Sequence, residues 1–100
     1  MPAPDSRLDP RQLRVRAVRR EALGAAIRAA RREAGLTQAE VAEKASMARS
    51  TIIEVEKGQK SLSSDALWNL AVALRTPLSA IIAAAEAHPG LAGTLESDEP

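Results

Sequence analysis

Residues 38–57 read QAEVAEKASMARSTIIEVEK, and the apolar positions in this stretch predict two short helices joined by a tight turn. The inward positions are Val41, Ala42, Ala45, Met47, Ile52 and Val55. Within each helix they recur at intervals of three or four residues, which is the spacing of an apolar stripe along a helix. Ala42 is small where the second helix must cross closely. The two helices therefore pack against each other and leave their polar faces outside.

The longer segment from Leu23 to Ile82 resembles the phage-repressor and Cro-type helix-turn-helix family, also called the xenobiotic-response-element or lambda-repressor-like type. The landmarks of the resemblance are Arg31, Gly35-Leu36-Thr37-Gln38, Ala42, Arg49-Ser50-Thr51-Ile52 and Glu56-Lys57-Gly58. It implies an all-α, five-helix domain whose third helix enters the major groove of double-stranded DNA. It also implies a transcriptional regulator, a repressor in particular, that binds a two-fold-related operator as a homodimer.

The composition predicts a single small domain with an uneven distribution of charge. The 100 residues include no cysteine, which excludes disulfides and thiolate chemistry and fits a reducing compartment. The net charge is only +1, but residues 1–34 hold nine arginines and four acids, whereas residues 35–100 hold five basic and nine acidic residues. The chain shows neither the apolar centre of a signal peptide nor an apolar run long enough to cross a bilayer. We therefore expect a cytoplasmic, nucleoid-associated protein without a membrane partner.

The pattern predicts three parts: a basic, partly disordered arm over residues 1–20, the DNA-binding domain over residues 21–87 and a short flexible tail over residues 88–100. The five helices are expected at residues 21–34, 38–45, 49–57, 64–74 and 77–87. Thr37, with Glu40 three residues later, forms a capping box for helix 2, and Thr76 is the expected cap of helix 5.

The segment from Pro10 to Arg20 fits three structures. Asp9-Pro10 favours a helix start, with the aspartate as the cap and the proline in the first turn. The arginines of this segment would then lie on an extended helix 1. They would otherwise belong to a flexible arm that follows the DNA backbone or enters a minor groove. The apolar alternation at Leu13, Val15 and Ala17 also allows a strand exchanged between two copies.

The resemblance assigns the DNA contacts to helix 3 and its surroundings. Arg49, Ser50 and Thr51 open helix 3, where basic and short polar side chains reach base edges. Gln38 is expected to grip a phosphate from the first turn of helix 2, and the polar residues around Gly58 are expected to bind phosphates too. The candidate DNA-binding residues are Thr37, Gln38, Ala48, Arg49, Ser50, Thr51, Ile53, Glu54, Lys57, Gln59 and Lys60.

Some positions have structural roles or depart from the family pattern. Arg31 and Glu56 are expected to form an ion pair that clamps helix 1 to helix 3. Ser46 replaces the turn glycine of the family, so a left-handed backbone there would cost about 1 kcal/mol. Ala48 replaces the Ser or Thr that caps helix 3, a loss of about 1 kcal/mol.

The apolar stripe of helix 5 suggests a surface for dimerisation, although one side of it must complete the core against helix 4. The candidate interface residues are Trp68, Leu78, Ile81, Ile82 and Ala85. Ile53 and Glu54 are unusual on a surface that faces DNA, since Glu54 repels phosphates unless it accepts a hydrogen bond from cytosine. They leave open a second hypothesis, a protein-binding module such as the antitoxin of a toxin–antitoxin pair, with DNA binding secondary.

Catalysis finds no support in the sequence. His88 is the sole histidine and lies beside the expected tail, and Glu54 and Glu56 diverge because they are two residues apart on a helix. No Gly-rich phosphate loop or metal-ligand cluster is present. We therefore expect no enzymatic activity, no cofactor and no bound metal.

Overall fold

The computed structural model describes residues 9–95, and within this range the chain forms six α-helices and no strand. The helices are α1 (Pro10–Glu33), α2 (Gln38–Lys44), α3 (Arg49–Glu56), α4 (Ser64–Leu74), α5 (Leu78–Glu86) and α6 (Ala92–Leu95). The all-α class is confirmed, with one helix more than predicted. The parts of the arm and tail predictions that concern residues 1–8 and 96–100 lie outside the described residues.

Helix α1 is longer than predicted because residues 10–20 continue it without a break. A capping box starts it: the carboxylate of Asp9 accepts from the backbone N–H of Gln12 at 2.7 Å, and the side chain of Gln12 accepts from the backbone N–H of Asp9 at 3.0 Å. Pro10 takes the first helical position, where its missing N–H leaves no partner unsatisfied. Of the three structures considered for this segment, the extended helix is the one observed.

The core lies where α1 to α5 meet. Its largest fully buried side chains are Ile27, Val41, Ile52, Val55, Leu70 and Leu74. Burial of an aliphatic side chain of this size stabilises the fold by about 1.5–3 kcal/mol. The inward positions predicted for residues 38–57 are buried, except for Met47, which is half-buried and packs against the core. The apolar stripe read from the sequence is therefore the stripe that the helices bury.

Two turns use a left-handed backbone without glycine. Ser46, between α2 and α3 where the family resemblance has a glycine, has φ 55°, and Arg75, which ends α4, has φ 53°. Gly35 and Gly58 occupy the same region after α1 and α3. Because a Cβ atom disfavours this backbone, Ser46 and Arg75 each cost the fold about 1 kcal/mol. The left-handed backbone at Arg75 was not predicted.

Helix α5 packs more extensively against α1 than against α4. The sequence had suggested α4 as its main partner. The axes of α4 and α5 are bent by 104°. Pro77, and not Thr76, is the N-cap of α5. The hydroxyl of Thr76 instead donates to the carbonyl oxygen of Leu74 at 3.1 Å, so it serves the end of α4. Among residues 9–95 no single helix is long and apolar enough to span a membrane, and α4 and α5 reach that length and composition only as a bent pair.

Residues 88–95, the described part of the expected tail, pack against α1. Leu91 is buried in the core, and α6 follows it. The guanidinium of Arg19 donates from Nε to the hydroxyl of Thr94 at 3.2 Å and from its terminal nitrogen to the carbonyl oxygen of Thr94. The N-terminal extension of α1 is thus continuous with the rest of the helix and is also contacted by residues 88–95.

Candidate nucleic-acid interface

Helix α3 buries one side in the core and exposes its N-terminal edge. Ile52 and Val55 are buried, whereas Arg49 and Ser50 are exposed and Thr51 is half-buried. Ala48 is the N-cap, and its side chain makes no capping hydrogen bond. The edge therefore presents a guanidinium, a hydroxyl and backbone N–H groups for which the cap supplies no side-chain acceptor. These groups can donate to base edges or to phosphate oxygens.

Two glycines allow α1 to cross closely over the C-terminal end of α3. A Cβ atom on Gly24 would overlap the carbonyl oxygen of Val55 and would lie 3.0 Å from that of Glu56. A Cβ atom on Gly58 would lie 2.9 Å from Cα of Glu21. The close crossing fixes the position of α3 relative to α1. The sequence reading missed Gly24, although a glycine inside a helical pattern is a known sign of close backbone approach.

Arg31 and Glu56 meet in the crossing between α1 and α3. Nε of Arg31 lies 2.7 Å from Oε2 of Glu56, and the terminal NH2 nitrogen of Arg31 donates to Oε1 at 3.0 Å. The two side chains are only 13% and 3% exposed. The hydrogen bonds to Glu56 raise the pKa of Arg31 above its ordinary value, against the opposing effect of burial. A bidentate pair of this kind holds both position and orientation.

The pair also anchors the loop between α1 and α2 and the start of α2. Arg31 donates from NH1 to the carbonyl oxygen of Leu36 at 3.0 Å. The side-chain amide of Gln38 donates to Oε1 of Glu56 at 3.1 Å. Glu56 is thus the acceptor that joins side chains from α1 and α2 to α3. The sequence reading assigned Gln38 to phosphate alone, and the structure gives one N–H of its amide to Glu56.

The capping box of α2 is present as predicted. The hydroxyl of Thr37 accepts from the backbone N–H of Glu40 at 3.1 Å, and the carboxylate of Glu40 accepts from the backbone N–H of Thr37 at 2.9 Å. These bonds lower the pKa of Glu40, the backbone hydrogen bond having the largest effect. Thr37 therefore acts first as a cap, with its side-chain oxygen directed to α2.

A cleft between the end of α1, the start of α2 and the start of α3 collects positive charge. Four cationic side chains and one carboxylate line it, a net charge of +3: Arg28, Arg31, Arg49, Lys57 and Glu56. Because Glu56 neutralises Arg31, the excess charge comes from Arg28, Arg49 and Lys57. The sequence reading missed Arg28, although it lies three residues before Arg31 and hence on the same side of α1. A cleft of this charge can hold an anion such as a phosphate.

The other candidate DNA-binding residues differ in where they lie. Ile53 lines it and is half-buried, and Glu54 is half-buried on the same helix. Gln59 and Lys60 are exposed beyond the turn that ends α3. Residues 9–95 contain no group of three or more metal-ligating side chains placed to hold an ion.

The candidate interface residues separate into two groups. Ile81 and Ala85 are buried in the core, and Leu78 is half-buried against it, so this part of the helix 5 stripe completes the monomer. Trp68 is 60% exposed and Ile82 is 37% exposed. Val72, which the sequence reading did not select, is 77% exposed. The exposed apolar surface is therefore centred on α4.

The described geometry is that of a helix-turn-helix domain: α2 and α3 are joined by a tight turn, and α1 and α4 support them. The helix-turn-helix family model matches residues 27–81, so the chain belongs to this family. This confirms the resemblance drawn from the sequence.

Relatives with known structures or roles share this part of the chain. The transcriptional regulator ClgR of Mycobacterium tuberculosis is 36% identical over 63 residues, which are 63% of this chain and 56% of that protein. The chain thus spans about half the length of this curated relative. The crystal structure of the clp gene regulator ClgR from Corynebacterium glutamicum is similar with a TM-score of 0.70 and 33% identity, over 75% of this chain and 80% of that one. The restriction-modification controller protein C.AhdI from Aeromonas hydrophila gives a TM-score of 0.61 and 29% identity, over 62% of this chain and 94% of that one.

Proposed function

We propose that this protein is a sequence-specific transcriptional regulator, a repressor of the Cro type, that binds double-stranded DNA as a homodimer in the cytoplasm, at the nucleoid. Each protomer places α3 in the major groove, and two copies contact successive grooves about 34 Å apart. The single observation that carries the proposal is the exposed N-terminal edge of α3 beside the cationic cleft. The named roles of the relatives, a transcriptional regulator and a controller protein, support it.

Base recognition is assigned to the edge of α3. Arg49 offers two parallel N–H donors to O6 and N7 of guanine, a contact that discriminates by about 1–3 kcal/mol. Ser50 donates to a base edge or to a phosphate, and Thr51 offers its methyl group to thymine. Ile53 contacts a thymine methyl group, and Glu54 accepts from N4 of cytosine.

Phosphate binding is assigned to the surroundings of α3, and it sets affinity and register without reading sequence. Arg28 and Lys57 supply charge on either side of Arg49 in the cleft. The second N–H of the Gln38 amide and the backbone N–H groups after Thr37 and Ala48 donate to the same phosphates. Gln59 and Lys60 bind the backbone on the far side of the groove.

The proposal is tested by selecting bound fragments from genomic DNA and measuring affinity by fluorescence anisotropy. Arg49→Ala should lower affinity for the selected site about 10- to 100-fold and affinity for unrelated DNA by a much smaller factor, which reflects only the lost charge. Lys57→Ala is the matched control. It should weaken binding to the selected site and to unrelated DNA by the same factor, and it should reduce the slope of log affinity against log salt by about 1. Sequence preference that survives Arg49→Ala at matched salt would contradict the proposed role of α3.

The repressor assignment needs a measurement in cells. A reporter gene placed behind the selected site should increase its expression when this protein is deleted, and Arg49→Ala should reproduce the deletion. A decrease on deletion would identify an activator.

A further inference from the structure

The exposed face of α4 carries an apolar pair that the fold itself does not cover. Trp68, the only aromatic residue of the chain, is 60% exposed, and Val72 is 77% exposed. The two residues are four apart on α4 and are therefore neighbours on one face. The opposite face of the same helix is buried in the core through Leu70, Ala71 and Leu74. An adjacent tryptophan and valine at this exposure form an apolar patch on the surface of the monomer.

Opposite charges flank the apolar pair. Asp65 precedes Trp68 by three residues and Arg75 follows Val72 by three residues, and both side chains are exposed. Asp65 lies in the first turn of α4 and Arg75 caps its C-terminal end, so opposite charges stand at the two ends of the exposed apolar pair. A second helix of the same sequence, laid antiparallel, brings the acidic end of each helix, with Asp65, to the basic end of the other, with Arg75, and places Trp68 opposite Val72. A parallel arrangement would place like charges together.

We infer that α4 pairs antiparallel with α4 of a second copy of this chain, about a two-fold axis that passes between Trp68 and Val72. This rests on the proposed function only in that a two-fold operator calls for a two-fold dimer. A two-fold interface needs a surface complementary to itself, with residue i against j and j against i. The charges and the apolar pair of α4 meet this condition. Tryptophan and arginine are also among the residues that contribute most at interfaces.

The alternatives on this chain are weaker. Of the residues first considered on α5, Ile81 and Ala85 belong to the core, and Ile82 is 37% exposed. Leu13 on α1 is 42% exposed. Within residues 9–95, α4 is the helix that presents two exposed large apolar side chains one turn apart.

Sedimentation of the protein without DNA tests the apolar part of the interface. The wild type should be a dimer, and Val72→Glu should raise the dimer dissociation constant at least about 100-fold, because the substitution occurs twice at the two-fold centre. Val72 is so exposed that its replacement leaves the monomer core intact, which circular dichroism can verify. Leu13→Glu is the matched control, since it removes an exposed leucine on α1 and should leave the dissociation constant unchanged.

A charge exchange tests the antiparallel geometry. Asp65→Arg and Arg75→Asp should each raise the dissociation constant about tenfold, because each places two like-charged pairs in the dimer. An equimolar mixture of the two variants should recover the wild-type constant, since both pairs are then attractive. The same recovery is expected for the double variant Asp65→Arg/Arg75→Asp.

Three results would overturn the inference: a wild type that sediments as a monomer at its highest soluble concentration, a Val72→Glu variant that stays dimeric, and a mixture without recovery. A wild-type monomer that forms a complex with a different protein through Val72 would also overturn it and identify a foreign partner. Binding to a DNA fragment with a single half-site distinguishes failure of the α4 pairing from failure of the proposed function. A wild type that sediments as a monomer yet prefers the selected half-site refutes only the α4 pairing, whereas sequence-independent binding by a wild-type dimer refutes only the proposed function.

Discussion

Gly24 of α1 lies directly against the carbonyl oxygen of Val55 in α3, so that a side chain of any size at position 24 would overlap the backbone of the proposed recognition helix. The contact joins the longest helix of the fold to the helix that carries the candidate DNA-binding edge. The spacing between α1 and α3 therefore depends on the absence of one methyl group.

Gly24→Ala should destabilise the protein by about 2–4 kcal/mol, because forcing the two backbones apart costs more than the gain of about 1 kcal/mol that alanine brings inside a helix. The free energy of unfolding from urea titration, followed by circular dichroism, measures the change. Gly93→Ala is the matched control, since a Cβ atom there would have nothing within 4 Å. An equal effect at both positions would contradict the close crossing.

Removal of only one partner of the Arg31–Glu56 ion pair should destabilise the protein more than removal of both partners. Arg31→Met leaves the carboxylate of Glu56, which is 3% exposed, with only the amide of Gln38 as a side-chain donor, and should cost about 3 kcal/mol. The double variant Arg31→Met/Glu56→Leu should cost less than the sum of the single variants, because no buried charge remains. A double-mutant cycle from urea titrations measures the coupling. Additive effects would mean that the two side chains do not stabilise each other.

Ser46→Gly should stabilise the protein by about 1 kcal/mol, since glycine adopts φ 55° without the cost of a Cβ atom. Ser46→Ala keeps the Cβ atom and is the matched control, for which little change is expected. Thermal unfolding distinguishes the two variants. A lower melting temperature for Ser46→Gly would show that the hydroxyl of Ser46 contributes more than the turn backbone.

Ala48→Ser should stabilise α3 by about 1 kcal/mol, because the N-cap of this helix lacks a side-chain acceptor. The reciprocal change at α4, Ser63→Ala, removes an existing bond to the backbone N–H of Ala66 and should cost a similar amount. Both free energies come from urea titration. No gain from Ala48→Ser would indicate that the first amides of α3 already have acceptors.

The capping box of α2 should make stability depend on pH. The hydrogen bonds from Thr37 hold the pKa of Glu40 below its ordinary value of 4.5, so the ionised form is favoured in the folded state. The resulting stabilisation is present above pH 4.5 and is lost as the pH falls through the lower, folded-state pKa. The difference in unfolding free energy between the wild type and Glu40→Gln should therefore shrink on acidification. An NMR titration of the Glu40 carboxyl group checks the direction independently, and an unshifted pKa would contradict the assignment.

The elements that local sequence chemistry controls were predictable. The apolar spacing of residues 38–57 defined α2, α3 and the turn between them, because an amphipathic helix carries its period in the sequence. The Thr37 capping box followed from two side chains three residues apart, whereas the left-handed backbone at Ser46 was implied only by the family resemblance, which has a glycine at this position. The ion pair between Arg31 and Glu56 could be predicted only because the family resemblance implied that these two positions meet.

The remaining features of the structure depended on which helix surfaces pack against each other. Residues 77–87 by themselves do not indicate that α5 turns towards α1, because that direction follows from the 104° bend between α4 and α5. The placement of Ile81 and Ala85 in the core, and the exposure of Trp68 and Val72, follow from the same choice. Arg28 and Arg49 are 21 residues apart in sequence, and only the packing of α1, α2 and α3 brings them to one cleft. The chain alone thus determined α2, α3, the turn between them and the capping box of α2, since these depend on neighbours within a few residues. The tertiary structure decided the cleft and the exposed face of α4, since both arise from contacts between distant segments.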